Sequence, residues 1–384
     1  MAEPLRVLLA GGGTAGHVNP LLALAAELRR RDPGTVIRVL GTQTGLESRL
    51  VPEQGYPLSI IPRVPLPRRP SREALRLPGR LIDAVRAAEA AIDEIDADVV
   101  VGFGGYVATP AYIAARRRGV PAVVHEQNAR PGLANRLGAR RAAAVAVTFP
   151  GTRLRAPGGA VVTGLPLRPA IADLVTARQA DAAAARRAGA AALGLDPDVV
   201  TILVTGGSLG AQRLNATVPH SAAALVSAGA QILHLTGAGK AEAVREELSG
   251  ASEAVAARYH VREYLERIDH AYAACDVVVA RSGAGTVSEL AALGIPAVYV
   301  PLPVGNGEQR LNAADVVSGG GGVLVEDADF TPAWVTGNLV PLVADRDRLE
   351  DMGRAAAAHG VRDGAARLAD LVGDVARGRQ GSST

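Results

Sequence analysis

Three glycine-rich turns carry the clearest chemical signal. Gly11-Gly12-Gly13-Thr14-Ala15-Gly16 follows the apolar run Leu5–Ala10, and Gly206-Gly207-Ser208-Leu209-Gly210 follows Val199–Thr205. Such a turn between strand and helix presents backbone N–H groups at a helix N-terminus, where about half a positive charge attracts phosphate. Gly11, Gly13 and Gly16 also satisfy G-x-G-x-x-G. A dinucleotide site of that type needs an acid after the second strand, roughly 20 residues on, to hold the ribose diol. The second strand here ends in Val39-Leu40-Gly41-Thr42 with no acid, which argues against a nicotinamide cofactor. The third turn, Arg281-Ser282-Gly283-Ala284-Gly285-Thr286, follows Val277–Ala280 and leads into Val287-Ser288-Glu289-Leu290. Amides at Ala284–Thr286 suit a pyrophosphate, and Glu289 suits both hydroxyls of a ribose. A Glu in a helix's first turn is equally explained by the helix dipole.

Two polar segments follow apolar strands, at the strand ends where open α/β sheets bind ligands: HEQNARPGLANR (125–136) and GNGEQRLNA (305–313). Either member of the His125-Glu126 pair is also readable as structural. Four Asp-x-Asp triplets (96–98, 196–198, 327–329, 345–347) raise a metal-bound diphosphate, but each sits in a loop or at a polar helix edge, and no metal is expected. The single lysine, Lys240, fails as a P-loop residue because His234 and Ala241 stand where Gly and Ser/Thr are required. The single cysteine, Cys275, precludes an intrachain disulfide and reads as a small buried thiol.

The elements that must position these residues alternate. Beyond the strands above come Val36–Leu40, Val99–Gly102, Ala122–His125 and Ala144–Val147, then Gln231–Leu235 and Ala297–Val300. Between them run helical patterns, such as Leu21–Arg30 and the Ala/Arg-rich 176–193. Alternation of this kind predicts an α/β chain with parallel sheets. GGTAG (12–16) over GGSLG (206–210) marks a duplication, hence two similar domains joined near 164–169. The expected division is 1–164, 165–345 and a helical 346–384 that packs back on the first domain and ends in a disordered 380–384. A length of 384 residues agrees with two domains. With 3% aromatics and a net charge of +3, nothing calls for a nucleic-acid partner. The N-terminus lacks a signal peptide's charged start and long apolar core. Gly and Pro interrupt both long uncharged stretches, 99–115 and 290–307, so a cytosolic protein is expected.

Seven blocks in this order resemble the MurG family of UDP-N-acetylglucosamine:lipid I N-acetylglucosaminyltransferases. They are GGGTAGHVNP, GFGGYVATP, HEQNARPGLANR, TGLPLR, TGGSLGAQRLN, ARSGAGTVSELAALGIPAVYVPLP and EQRLNA. The resemblance implies a GT-B fold, two Rossmann-like domains facing across a cleft. It places lipid I on the N-terminal domain and UDP-GlcNAc on the C-terminal one, with no cofactor. Carried over, Thr14, Ala15 and Gly16 match a turn closing over the donor. Asn128, Arg168 and Ser208 match donor-contacting positions, and Leu265 matches the residue whose backbone reads uracil. Ala284, Gly285, Thr286, Val287, Ser288 and Glu289 match the segment around diphosphate and ribose, and Gln309 matches a GlcNAc contact. At the preceding position stands Glu308, where some family members have Gln, so the sugar contact is carried over to Gln309 and not to Glu308.

The implied reaction moves GlcNAc to the C4 hydroxyl of MurNAc with inversion. It needs a base, a stabilised oxocarbenium-like carbon and a stabilised UDP leaving group. His17 and Glu126 are the candidate bases, with His17 favoured because its unperturbed pKa is suited to neutral pH. Tyr106 bounds the acceptor site. Lipid I lies in the membrane, so the protein is expected at the inner face of the cell membrane, alongside cell-wall synthesis and division proteins. Leu66, Leu75, Leu77, Leu81, Ile82 and Val85 alternate with Arg63, Arg68, Arg69, Arg72, Arg76 and Arg80, a basic amphipathic face suited to anionic headgroups. The rival readings are another GT-B enzyme, such as a natural-product glycosyltransferase or a UDP-GlcNAc 2-epimerase, and a non-catalytic sugar-nucleotide scaffold.

Overall fold

The computed structural model of the chain describes residues 3–64, 77–207 and 210–382. Ser208, and Leu66, Arg68, Arg69, Arg72, Leu75 and Arg76, lie outside the described residues. The chain divides into two compact units, Met1–Pro169 with Asp363–Thr384, and Ala170–Arg362.

The first unit holds seven strands: β1 (Arg6–Gly11), β2 (Val36–Gly41), β3 (Leu58–Ile60), β4 (Val99–Gly104), β5 (Ala122–Glu126), β6 (Ala144–Val147) and β7 (Val161–Val162). They pair in the order β3-β2-β1-β4-β5-β6-β7, every pair parallel. The second unit holds β8 (Val200–Thr205), β9 (Ala230–Leu235), β10 (Tyr259–Arg262), β11 (Val277–Ala280), β12 (Ala297–Tyr299) and β13 (Gly322–Leu324). Their order is β10-β9-β8-β11-β12-β13, again all parallel. Both sheets thus share the order 3-2-1-4-5-6, to which the first adds β7, and reverse at β1/β4 in one and β8/β11 in the other. In doubly wound sheets the ligand crevice opens at that reversal, beyond the strands' carboxyl ends. All three glycine turns sit there.

Burial explains the continuous apolar strands. Val7 and Leu9 of β1 face one core layer, while Leu8 and Ala10 face another, so both faces are covered. The strands that sequence periodicity does not reveal, β3, β7, β10 and β13, are the edges of the two sheets. An edge strand is short and half covered, so it lacks an apolar run; β10 reads Tyr-His-Val-Arg.

Two helices differ from expectation. The first starts at Ala15, not Leu21, and carries Pro20 inside it. Pro20 lacks an N–H and normally breaks a helix. Burial of Val18, Pro20, Leu21 and Leu24 outweighs that loss. The Ala/Arg-rich segment forms Pro169–Leu193, broken at Asp181, where φ is −156° and ψ is 95°.

The helix Arg346–Ala358 stays with the second unit, whereas Gly364–Ser382 belongs to the first. There Leu368, Ala369, Val372 and Ala376 enter the core beside Val7 and Leu9. Arg31 donates to the Ala366 carbonyl at 2.9 Å and pins the same helix. This last helix runs to Ser382, and 383–384 lie outside the described residues.

Candidate active site

In the first unit the site is built around the turn after β1. Thr14 is the N-cap residue and exposed, Ala15 is half-buried and Gly16 exposed, so His17 falls in the first helical turn. Its backbone N–H donates to the Thr14 carbonyl at 3.1 Å. Its Nδ1 lies 3.0 Å from the Thr14 hydroxyl. The ring packs against Gly104, where an added β-carbon would stand 3.2 Å from Cδ2 and from Nε2. Burial pushes the imidazole pKa down, against the Gly12 carbonyl and the Glu47 charge, which hold it up. The ring is therefore neutral, in its base form, at pH 7.

Glu126 ends β5 and is 2% exposed. Oε1 accepts from the Asn128 N–H at 2.9 Å, and Oε2 accepts from the Gly132 N–H and from Asn135 Nδ2, each at 3.0 Å. Burial raises its pKa, and these donors pull the other way. Asn135 is itself set by the Tyr112 hydroxyl, which donates to its Oδ1 at 2.8 Å. The carboxylate thereby folds the 127–132 loop and places the half-buried Asn128. His125 is wholly buried, bonded through Nε2 to the Gly164 carbonyl at 3.1 Å and through Nδ1 to Gln127 at 3.2 Å. Burial lowers its pKa to about 4, so it is a neutral structural residue. Tyr106 follows the Gly104-Gly105 turn, is 40% exposed and lies under the Arg63 guanidinium at 5.1 Å.

Sequence reasoning passed over Glu47, which lies in the helix Glu47–Glu53, six residues beyond β2, and not at the strand end where an acid was sought. It is 0% exposed and accepts the Gly13 N–H at 2.8 Å. The signal available was one acid in the first turn of the next helix.

In the second unit the third turn behaves differently from its sequence reading. The helix begins at Ala284, with Gly283 as cap, so Ala284, Gly285 and Thr286 are its first residues and their N–H groups have no intrahelical partner. Glu289 then falls in the second turn, beyond the helix's orphan amides, and is 6% exposed. The dipole explanation for this acid is overturned, because it lies beyond the helix's first turn. The Val287 side chain is 1% exposed, leaving only its backbone for a ligand. Ser288 is half-buried, as are Leu265 and, in the first unit, Arg168.

Behind the turn, Arg281 pairs with Asp327 at 2.6 Å and donates to the Val300 and Pro301 carbonyls. Gly210, at the end of the second glycine turn, lies so close to the Thr236 carbonyl that a β-carbon there would meet it at 2.0 Å. Asn215 donates through Nδ2 to the Thr236 carbonyl at 3.0 Å and accepts through Oδ1 from His234 Nε2 at 3.0 Å, and His234 Nδ1 in turn bonds the Tyr259 hydroxyl at 2.7 Å. Gln309 accepts the Leu302 N–H at 3.0 Å through Oε1, which leaves its amide NH₂ to aim.

The Asp-x-Asp triplets have structural work. Asp96 and Asp98 pair with Arg6, Asp327 with Arg281, Asp345 accepts the Arg348 N–H as a helix cap, and Asp196 accepts the Asp198 N–H. Among the described residues no group of three or more His, Cys, Asp or Glu is arranged to hold a metal ion. Cys275 is buried, its thiol pushed up to about 12 by burial and Asp276.

Family models match both halves: residues 7–147 fit the glycosyltransferase family 28 N-terminal domain and 201–368 its C-terminal domain. A protein of Clavibacter michiganensis is 57% identical over 97% of each chain. It is named UDP-N-acetylglucosamine--N-acetylmuramyl-(pentapeptide) pyrophosphoryl-undecaprenol N-acetylglucosamine transferase. The chain belongs to the MurG family of glycosyltransferase family 28. A like-named protein of Streptomyces coelicolor is 52% identical over 96% of this chain and 97% of its own. The crystal structure of Acinetobacter baumannii MurG superposes with a TM-score of 0.74 at 28% identity, covering 97% of this chain and 100% of that one. A putative UDP-N-acetylglucosamine 2-epimerase from Listeria monocytogenes shares the fold at 17% identity, with a TM-score of 0.67 and 95% of each chain covered. The two parallel-sheet units are thus those of the GT-B fold, and the MurG family membership makes the chain a glycosyltransferase.

Proposed function

We propose that this protein transfers GlcNAc from UDP-GlcNAc to the C4 hydroxyl of MurNAc in lipid I, forming the β-1,4 link of lipid II. The observation that carries this reading is the 57% identity over 97% of the chain to a protein named for that transfer. The reaction is one in-line displacement. The acceptor C4 oxygen bonds to the anomeric carbon of GlcNAc, the bond from that carbon to the diphosphate oxygen breaks, the hydroxyl proton passes to a base, and UDP leaves with the electron pair.

The first unit supplies the base. Neutral His17 has a lone pair for the proton, and its surroundings favour that form. Glu126 has its oxygens bonded to Asn128, Gly132 and Asn135, which suits it to shaping the loop. The second unit holds the donor. The amides of Ala284, Gly285 and Thr286 meet the charge that develops on the diphosphate, Glu289 takes the ribose hydroxyls, and Gln309 the sugar. Thr14, Ala15 and Gly16, with Asn128 and Arg168, are the first unit's donor contacts, and Ser208 and Leu265 are further ones of the second unit.

The membrane surface carries the acceptor. Among the described residues no helix is long and apolar enough to cross a membrane. Ile82, Tyr106, Leu133 and Leu137 are exposed apolar side chains of the first unit. Arg63 and Arg80 are described cations at the two ends of the basic segment. Of the apolar residues first assigned to that face, Val85 is 2% exposed and belongs to the core, and Leu81 packs on it, because both sit on the inner stripe of the helix Leu77–Ile95. A peripheral attachment through Ile82 and the arginines follows. Radiolabelled UDP-GlcNAc with a lipid I analogue tests the proposal: transfer of label to the lipid supports it, and donor hydrolysis or epimerisation without transfer overturns it.

A further inference from the structure

Glu47 is the one fully buried carboxylate of the first unit among the described residues, and the chain is shaped to hold it. A β-carbon on Gly12 would stand 2.4 Å from its Oε1, one on Gly41 2.6 Å from its Cγ, and one on Gly45 2.0 Å from its Oε2. Three glycines thus make the space that this side chain fills. Inside it, Oε2 accepts the Gly13 N–H at 2.8 Å, and Oε1 accepts the Thr42 N–H at 2.9 Å and the Thr42 hydroxyl at 2.8 Å. Burial opposes ionisation, but these donors outweigh it and hold the carboxyl below its ordinary range, so the group is an anion at pH 7.

The contact of this anion with the Gly13 N–H fixes Gly13, whose φ is +89°, one residue before Thr14. Thr14 in turn meets His17 twice, through its carbonyl and its hydroxyl.

We infer that Glu47 is a positioning residue for the transfer: its buried carboxylate sets the Gly12–Thr14 turn that presents His17. The inference rests on His17 acting as the base. Glu47 also sustains the imidazole's basicity by its charge, opposing burial. The other groups next to the ring, the Thr14 hydroxyl, the Gly12 carbonyl and Gly104, carry no charge, and beyond Gly104 lies the Glu126 carboxyl, held by Asn135 Nδ2 at 3.0 Å.

The test is Glu47→Gln, which keeps shape and removes charge, assayed by transfer from UDP-GlcNAc to a lipid I analogue across pH. The expected result is a kcat lower by about 10–100-fold, a donor KM within two-fold of wild type, and an acid limb moved to lower pH, since the imidazole loses a neighbouring anion. A merely structural role would leave the limb where it was. Unchanged kcat and an unmoved limb in Glu47→Gln overturn the inference, provided that His17→Ala has lost the limb. If His17→Ala keeps the limb, it is the assignment of the base that fails. Should Glu47→Gln not fold, Glu47→Asp is the comparison. It retains the charge but cannot reach Gly13 at its present distance, so kcat drops at least ten-fold with donor KM unchanged; wild-type kcat in Glu47→Asp overturns the inference.

Discussion

The imidazole of His17 lies against the α-carbon of Gly104, so close that a β-carbon there would stand 3.2 Å from Nε2. His17 lies in the first turn of the helix that follows β1 and Gly104 ends β4, and these two strands are neighbours at the point where the strand order reverses. Gly104 also has φ +94°, a conformation that L side chains rarely adopt. Gly104→Ala is expected to cost about 1–3 kcal/mol of stability through backbone strain. It is also expected to lower kcat at least ten-fold by displacing the ring. Denaturant titration and steady-state kinetics measure the two effects; wild-type kcat with a folded variant refutes the contact's importance.

His17→Ala should reduce kcat by about 10²–10⁴-fold, the usual contribution of a general base. UDP affinity, carried by the second unit, should stay near wild type. Burial depresses the imidazole pKa, so the acid limb of the wild-type pH–rate profile belongs below 6.5, the ordinary value. The limb should vanish in the variant. If it survives there and disappears in Glu126→Gln, the base is Glu126.

Glu289→Ala tests the donor side. A charge-assisted hydrogen bond contributes roughly 1.5–3 kcal/mol, which predicts about a 10- to 150-fold loss of UDP affinity by calorimetry. A donor lacking the 2′-hydroxyl should then discriminate poorly between variant and wild type. Equal UDP affinity of variant and wild type removes Glu289 from the ribose site.

His125 predicts a pH dependence of stability. Its folded pKa is about 4, against an ordinary 6.5. Between those values the unfolded chain binds the extra proton, so stability is full above 6.5 and is lost as pH falls toward 4. The slope approaches about 1.4 kcal/mol per pH unit for this one residue. Urea titrations should show it, and His125→Gln should flatten it relative to wild type; an unchanged slope contradicts the assignment.

Neutralising Arg68, Arg69, Arg72 and Arg76 together should release the protein from anionic vesicles, at about 1 kcal/mol for each cation near the surface. Activity on a short-chain, soluble acceptor should survive. Equal co-sedimentation of variant and wild type excludes this segment as the attachment.

Much of the molecule is legible in its residues. Central strands announce themselves because both faces are buried and every residue must be apolar, as in Val277–Ala280, and the glycine turns follow because tight strand-to-helix reversals demand them. The repeated turn gave away the duplication. Seven short blocks carry the family resemblance. Edge strands escaped because half-covered strands need no apolar run, and Pro20 hid the start of the first helix because burial overrode its cost. What only the tertiary structure decided is which polar groups meet. Asp327 is a partner of Arg281 and not half of a metal site, Glu126 ties down a loop with its oxygens, and Glu47 lies under a turn 34 residues before it. Sequence fixes the type and spacing of such groups along one dimension. Whether a carboxylate binds a ligand, a base or its own backbone depends on which donors the folded chain brings within about 3 Å of it.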